Sequence, residues 1–165
     1  MTSRTEVKPL PAATVTLVRD APRGLEVLMT QRSFSLAFMP GVHVFPGGAL
    51  DASDDFPALQ ARCVGLDDAA ASRTLGLERG GLAYWIAAIR EAFEEADILL
   101  AYDAGGEIVT LNGASAERYR THRQAHDKGH GDFTALVLDE GLRLAADRLP
   151  GGSRSFRARG CRLEL

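Results

Sequence analysis

"AAIREAFEEAD", residues 87–97, places Glu91, Glu94 and Glu95 within about one helical turn, directly after Arg90. It closes the longer run "LAYWIAAIREAFEEA" (82–96), in which Leu82, Trp85, Ile86, Ile89, Phe93 and Ala96 share one face at the helical period. That run is the strongest helix in the chain. At about 100° per residue the three glutamates centre opposite the apolar stripe, where any surface helix puts its charges. Glu91 and Glu95 are nevertheless an i,i+4 like-charge pair, which costs about a few tenths of a kcal/mol when exposed and more when screened from water. Ala87 and Ala88 beside them leave open space rather than lysine partners, and only Arg90 is near, with Glu94 at i+4. Three carboxylates without matching cations suit a hard cation such as Mg2+, which takes oxygen ligands and bridges carboxylates to substrate phosphates. On residue types and spacing alone, a solvated face and a cation site stand equal.

The rest of the chain narrows the field. Its 165 residues suffice for one domain with a sizeable core. A net charge of −3 gives no general attraction to nucleic acid or to an anionic membrane, so phosphates would have to be met by local arginines or a bound metal. No apolar run approaches the roughly 20 residues needed to cross a bilayer, and "MTSRTEVKPLPAATV" lacks a signal-peptide core. Cys63 and Cys161 lie far apart and fit no metal or redox spacing, as expected of reduced thiols in a cytoplasmic protein.

Residues 1–12, polar and with two prolines, read as a loose arm. "ATVTLVRD" (13–20) and "LEVLMTQR" (25–32), separated by "APRG", predict a hairpin. "VHVF" (42–45) is a short strand stopped by Pro46-Gly47-Gly48, where successive glycines permit unusual backbone angles and close approach to a ligand. Residues 49–81, rich in Ala, Asp and Gly, read as an inserted helical excursion more than as core. "ILLAYD" and "EIVTL" around "AGG" predict a second hairpin, followed by helices over 114–128 and 133–147. "PGGSRSFRARGCRLEL" (150–165) is an irregular basic tail with no convincing closing strand.

Gly48, followed downstream by Arg90-Glu91-Ala92-Phe93-Glu94-Glu95-Ala96, resembles the Nudix box, GX5EX7REUXEEXGU. Arg90, Glu91, Glu94 and Glu95 match its REUXEE segment, Ile98 matches the last apolar position, and "FPGG" is similar to the usual approach to the box. The resemblance covers roughly residues 13–103 and implies one α/β domain, a mixed sheet between helices, with 49–81 as an insertion. The box puts Arg 14 places after Gly, whereas here 90 − 48 = 42, so 28 residues are inserted. "MTQRSFSLAFMPGVHVFPGGALD" resembles a Nudix branch with such an insertion, which includes coenzyme A diphosphatases.

What the resemblance implies is specific. Glu91, Glu94 and Glu95 would bind Mg2+ or Mn2+, with Arg90 orienting a glutamate. Backbone amides around Gly47 and Gly48 would help to hold a pyrophosphate, and Arg32, at a strand end beside Gln31, could meet a phosphate. The reaction would be hydrolysis of a diphosphate linkage in a small nucleotide-linked molecule, with coenzyme A or an acyl-coenzyme A in view. Its general base stays open between Glu94 and a later carboxylate such as Glu140. The alternatives are a catalytically impaired Nudix-like protein that binds a nucleotide or partner, and an interaction domain whose acidic helix is only solvated.

Two positions depart from the box. Its first Glu falls on Asp54 counting from Gly48, or on Leu82 counting back from Arg90; Asp97 stands where it has Gly, at a helix end that favours a left-handed residue. The missing closing strand suggests a chain shortened or altered near residue 149, its open sheet edge covered by a partner such as a second copy. His122, His126 and His130 recur every four residues, but Gly129 interrupts them and Arg, Lys and Gln surround them, which favours a solvated face. His43 alternates with valines on a strand and reads as an ordinary surface histidine.

Overall fold

The computed structural model of the chain describes residues 10–34, 39–127, 132–149, 156–158 and 161–164. The first expected hairpin is present: β2 (Thr16–Ala21) and β3 (Gly24–Val27) pair antiparallel, Val18 opposite Val27 and Ala21 opposite Gly24. Gly24, at φ 118°, makes the tight reversal that a side chain would resist. Just before it, β1 (Ala12–Thr14) buries Ala13 and exposes both neighbours, the period-2 pattern of a strand lying on a core. β4 (Thr30–Gln31) pairs with β5 (His43–Val44).

The glycines after Pro46 do not form a turn. Gly47–Ala49 is a strand, β6, antiparallel to β1 with Ala13 opposite Gly48. Neither Gly47 nor Gly48 has a positive φ, so backbone freedom is not what these positions require. They require closeness: a Cβ on Gly47 would stand 2.5 Å from the Ala13 carbonyl oxygen.

The insertion is more than an excursion. After a 3-10 turn (Ala52–Asp55) come α1 (Pro57–Gln60) and α2 (Asp68–Leu75). Asp51 and Asp54 cap the 3-10 turn reciprocally, and Asp67 caps α2 through the Ala70 N–H. Leu59 and Ala71 are fully buried in the main core, and Asp54 is buried with them. The composition of 49–81 hid this, because small residues bury through close backbone packing rather than through large side chains.

The box helix is α3 (Leu82–Ala96). It is not a surface helix with one wet face. Ala87 and Ala88 have no exposure, and Arg90 and Glu91 are buried too. The space expected beside those alanines is filled, on a helix that packs against β1, β6, the 3-10 turn and α2. Trp85, also buried, donates its indole N–H to the Leu149 carbonyl at 2.8 Å. α3 stops at Asp97, which adopts the expected left-handed conformation (φ 55°, ψ 31°). The Ile98 N–H then closes back on the Ala92 carbonyl at 3.1 Å.

Beyond it, β7 (Ala101–Tyr102) pairs with β8 (Arg143–Leu144) rather than with the "EIVTL" run. That run still folds back, through a bridge between Tyr102 and Ile108 and a Val109 N–H to Ala101 carbonyl bond of 2.8 Å. α4 spans Gly113–Asp127, and α5 only Phe133–Asp139. The predicted helix to 147 is cut short by Gly141 at φ 63°; the chain then extends as β8 and buries Leu142 and Leu144. Of the histidine series, His122 lies on α4, His126 lies there with a side chain outside the described set, and His130 falls outside the described residues.

The tail corrects another expectation. β9 (Phe156–Ala158) and β10 (Cys161–Glu164) are strands, and β10 pairs antiparallel with β2, Arg162 opposite Val18. The sheet order is β3-β2-β10-β9, so the β2 edge needs no partner chain and that argument for a second copy falls. Pairings between the strands are antiparallel, and a parallel bridge joins Cys63 to Leu144. The whole is an α/β fold of small sheets and helices around α3. No helix among the described residues is long and apolar enough to cross a membrane.

Candidate functional site

Arg90 sits at the middle of the site with all five of its N–H donors engaged. Nε and Nη2 reach the two Asp54 oxygens at 2.9 and 3.0 Å, and Nη2 also donates to the Ala49 carbonyl at 3.1 Å. Nη1 donates to Glu91 at 2.8 Å and to Glu94 at 3.0 Å. The planar fork suits this arrangement, since the bidentate half fixes the plane and leaves one nitrogen for two glutamates. Burial alone would pull the Arg90 pKa down; the hydrogen bonds and charge of Asp54, then Glu94 and Glu91, reverse that and hold it well above its ordinary value.

Of the two positions that counting along the box gave, Asp54 is the one in contact with Arg90. Six residues on from Gly48, it is the carboxylate that grips Arg90, while Leu82 is a buried apolar residue in the first turn of α3. The Ala49 carbonyl could not have been found from sequence, because a backbone acceptor carries no residue signature.

The glycine strand meets the glutamates directly. The Gly47 N–H donates to Glu95 Oε2 at 3.1 Å, and a Cβ on Gly48 would stand 2.4 Å from Glu91 Oε1. Residues 43 (91 − 48) and 48 (95 − 47) apart in sequence are thus in contact. Arg32, half-buried after β4, is close enough to Glu95 for its charge to count, and its Nε is buried without a hydrogen-bond partner among the described residues. Burial pushes the Glu95 carboxyl above its ordinary pKa; the Gly47 N–H opposes the rise, the Glu91 charge adds to it and Arg32 opposes it. Glu140, at the end of α5, is paired with Arg118 at 3.0 Å. His43 is exposed and pairs in register with Gln31.

Asp54, Glu91, Glu94 and Glu95 outnumber the cations beside them even when Arg32 joins Arg90. The donors are hard oxygens, two of them buried (Asp54, Glu91) and Glu95 open to solvent, the chemistry that suits Mg2+ or Mn2+. Among the described residues no three such side chains converge on one point for a metal. Arg90 holds Glu91 and Glu94, and the Gly47 amide holds Glu95. By the chemistry of their donor atoms the residues fit such a cation.

No protein-family model matches the chain. A crystal structure of a NUDIX hydrolase from Alicyclobacillus acidocaldarius superposes on 86% of this chain with a TM-score of 0.64 and 26% identity, and 59% of that protein is covered. The chain has a Nudix-type fold. It is also similar to acyl-coenzyme A diphosphatase NUDT19 from Homo sapiens, 40% identical over 100 residues that cover 47% of this chain and 27% of the relative. The Gallus gallus protein of the same name is 36% identical over 108 residues, 51% of this chain and 28% of the relative. The chain thus matches little more than a quarter of the length of these two curated relatives.

Proposed function

We propose that this Nudix-like chain hydrolyses a diphosphate linkage in a small nucleotide-linked molecule, with coenzyme A or an acyl-coenzyme A as substrate class and Mg2+ or Mn2+ as cofactor. One observation carries most of the weight: the Gly47-Gly48 strand lies against Glu91 and Glu95, so a diphosphate held at that strand would lie beside the glutamates. The names of the curated relatives support the substrate class. Glu91, Glu94 and Glu95 would hold the cation, which when bound supplies charge neutralisation of the phosphates and an activated water. Arg90, anchored by Asp54, would orient Glu91 and release Glu94 toward the ion. Release of Glu95 would free the Gly47 N–H for a phosphate oxygen, with Arg32 adding charge on the same side. Glu94 or a carboxylate beyond the box, such as Glu140, would accept the proton of the attacking water.

Melting in the presence of Mg2+ or Mn2+ tests the cation part. By mass action, cation at about 100 times its Kd adds about 2.7 kcal/mol, a rise of several degrees for a chain of this size. No rise at millimolar cation would remove the proposal's foundation.

A further inference from the structure

The first turn of α3 lacks a cap of its own. Gly81, at the N-cap position, has helical angles (φ −65°, ψ −36°) and no side chain, so a helix that carries the box begins without the usual Ser, Thr, Asp or Asn. The missing acceptors come from α2. Asp68 accepts the Gly80 N–H at 3.0 Å with one oxygen and the Leu82 N–H at 2.9 Å with the other. Ser72, one turn on, accepts the Gly81 N–H between them at 2.9 Å. Three consecutive amides are thus held by two side chains of the insertion. The backbones are also in contact, because a Cβ on Gly81 would stand 2.3 Å from the Ser72 nitrogen.

Hydrogen bonding by the Leu82 N–H draws the Asp68 carboxyl below its ordinary pKa against the cost of burial, with Gly80 and Ser72 adding to it, as expected of a charged cap. From Leu82 to Glu91 the helix rises about 13 Å as a rigid rod, so displacement at its start is carried to the glutamates. At Glu91 there is no slack, since its carboxylate lies against Gly48.

We propose that α2 positions the box helix: Asp68 and Ser72 clamp its first turn and thereby set the register at which Glu91 and Glu95 meet Gly48 and Gly47. The activity arm of its test rests on the proposed function; the exchange arm does not. The comparison is between Asp68→Ala/Ser72→Ala and Asp67→Ala in the full chain. Asp67 caps α2 itself through Ala70, so its loss weakens the same insertion without releasing α3.

Measured equally far below each melting temperature, the double variant should bind Mn2+ about tenfold or more weakly and lose about tenfold or more in kcat on coenzyme A, with KM little changed. Asp67→Ala should keep wild-type values, and Asp68→Asn, which retains one acceptor oxygen, should fall between. Equal melting losses in the two variants with no change in Mn2+ affinity or kcat would overturn the proposal. Should the wild type neither bind Mn2+ nor turn over coenzyme A, the proposed function fails, and hydrogen exchange decides the positioning role. Faster exchange at residues 90–95 in the double variant than in Asp67→Ala supports the role, and equal exchange refutes it. If the double variant does not fold, Asp68→Asn alone is compared with Asp67→Ala on the same readouts.

Discussion

Glu91 Oε1 occupies the space that a side chain on residue 48 would need, 2.4 Å from where a Cβ would stand. The carboxylate has little freedom to retreat, being buried and bonded to Arg90 at 2.8 Å. Gly48→Ala is therefore expected to lower kcat about tenfold or more, while destabilising the fold by about 1–3 kcal/mol as an overpacked site. Steady-state kinetics beside urea denaturation would check this; unchanged kcat in a folded Gly48→Ala would contradict the close fit.

Asp54 has no exposure and engages Arg90 with both oxygens, Oδ2 also accepting the Asp51 N–H at 2.8 Å. Asp54→Asn keeps the shape but turns a donor toward a donor and leaves a buried guanidinium short of charge. It should cost about 3–5 kcal/mol, the usual penalty for breaking one side of a buried pair. Asp54→Glu keeps the charge and adds one methylene, so its cost should stay nearer about 1–3 kcal/mol. Urea midpoints in the reverse order would refute the assignment of Asp54 as the partner of Arg90.

Stability at low pH should respond to Asp68. Its folded pKa is below the ordinary 3.8, so its contribution is complete above that value and is lost as pH falls through the folded pKa. The melting gap between wild type and Asp68→Asn should be full at neutral pH and close below about pH 4. A gap that persists at the lowest pH would show that charge is not what the cap supplies.

Asp97 holds a left-handed angle that glycine adopts freely. Asp97→Gly, which also removes a negative charge from the helix C-terminus, should raise stability by up to about 1 kcal/mol. Thermal melting would detect a rise of a few degrees; a fall would mean that the Asp97 side chain contributes more than its backbone strain costs.

The readable part of the fold was the part with strong local signal. The α3 periodicity, the hairpin around Gly24, and the left-handed residue 97 were legible because each depends on a few adjacent residues. The burial of Ala87 and Ala88 was not, since an alanine beside charges looks the same on a wet face as under a packed strand. β10 alternates apolar and polar residues, but four residues are too short a run to outweigh the arginines around it. In the candidate site, Arg90 and the three glutamates were singled out by the resemblance to the Nudix box, and Asp54 was one of the two positions that counting along the box gave. Asp68 and Ser72 were missed, although a helix opening on Gly80-Gly81 without a capping side chain was the sign that its cap lay elsewhere.

The most direct test of the central claim is cation-dependent diphosphate hydrolysis by wild type and Glu94→Gln. Coenzyme A, ADP-ribose and NADH are each incubated with and without Mg2+ or Mn2+, and phosphatase-released phosphate is then measured. The account predicts turnover by the wild type with cation, coenzyme A being the preferred substrate. It also predicts loss of that turnover in Glu94→Gln with the fold intact. Turnover that survives in Glu94→Gln, or that needs no cation, would contradict it.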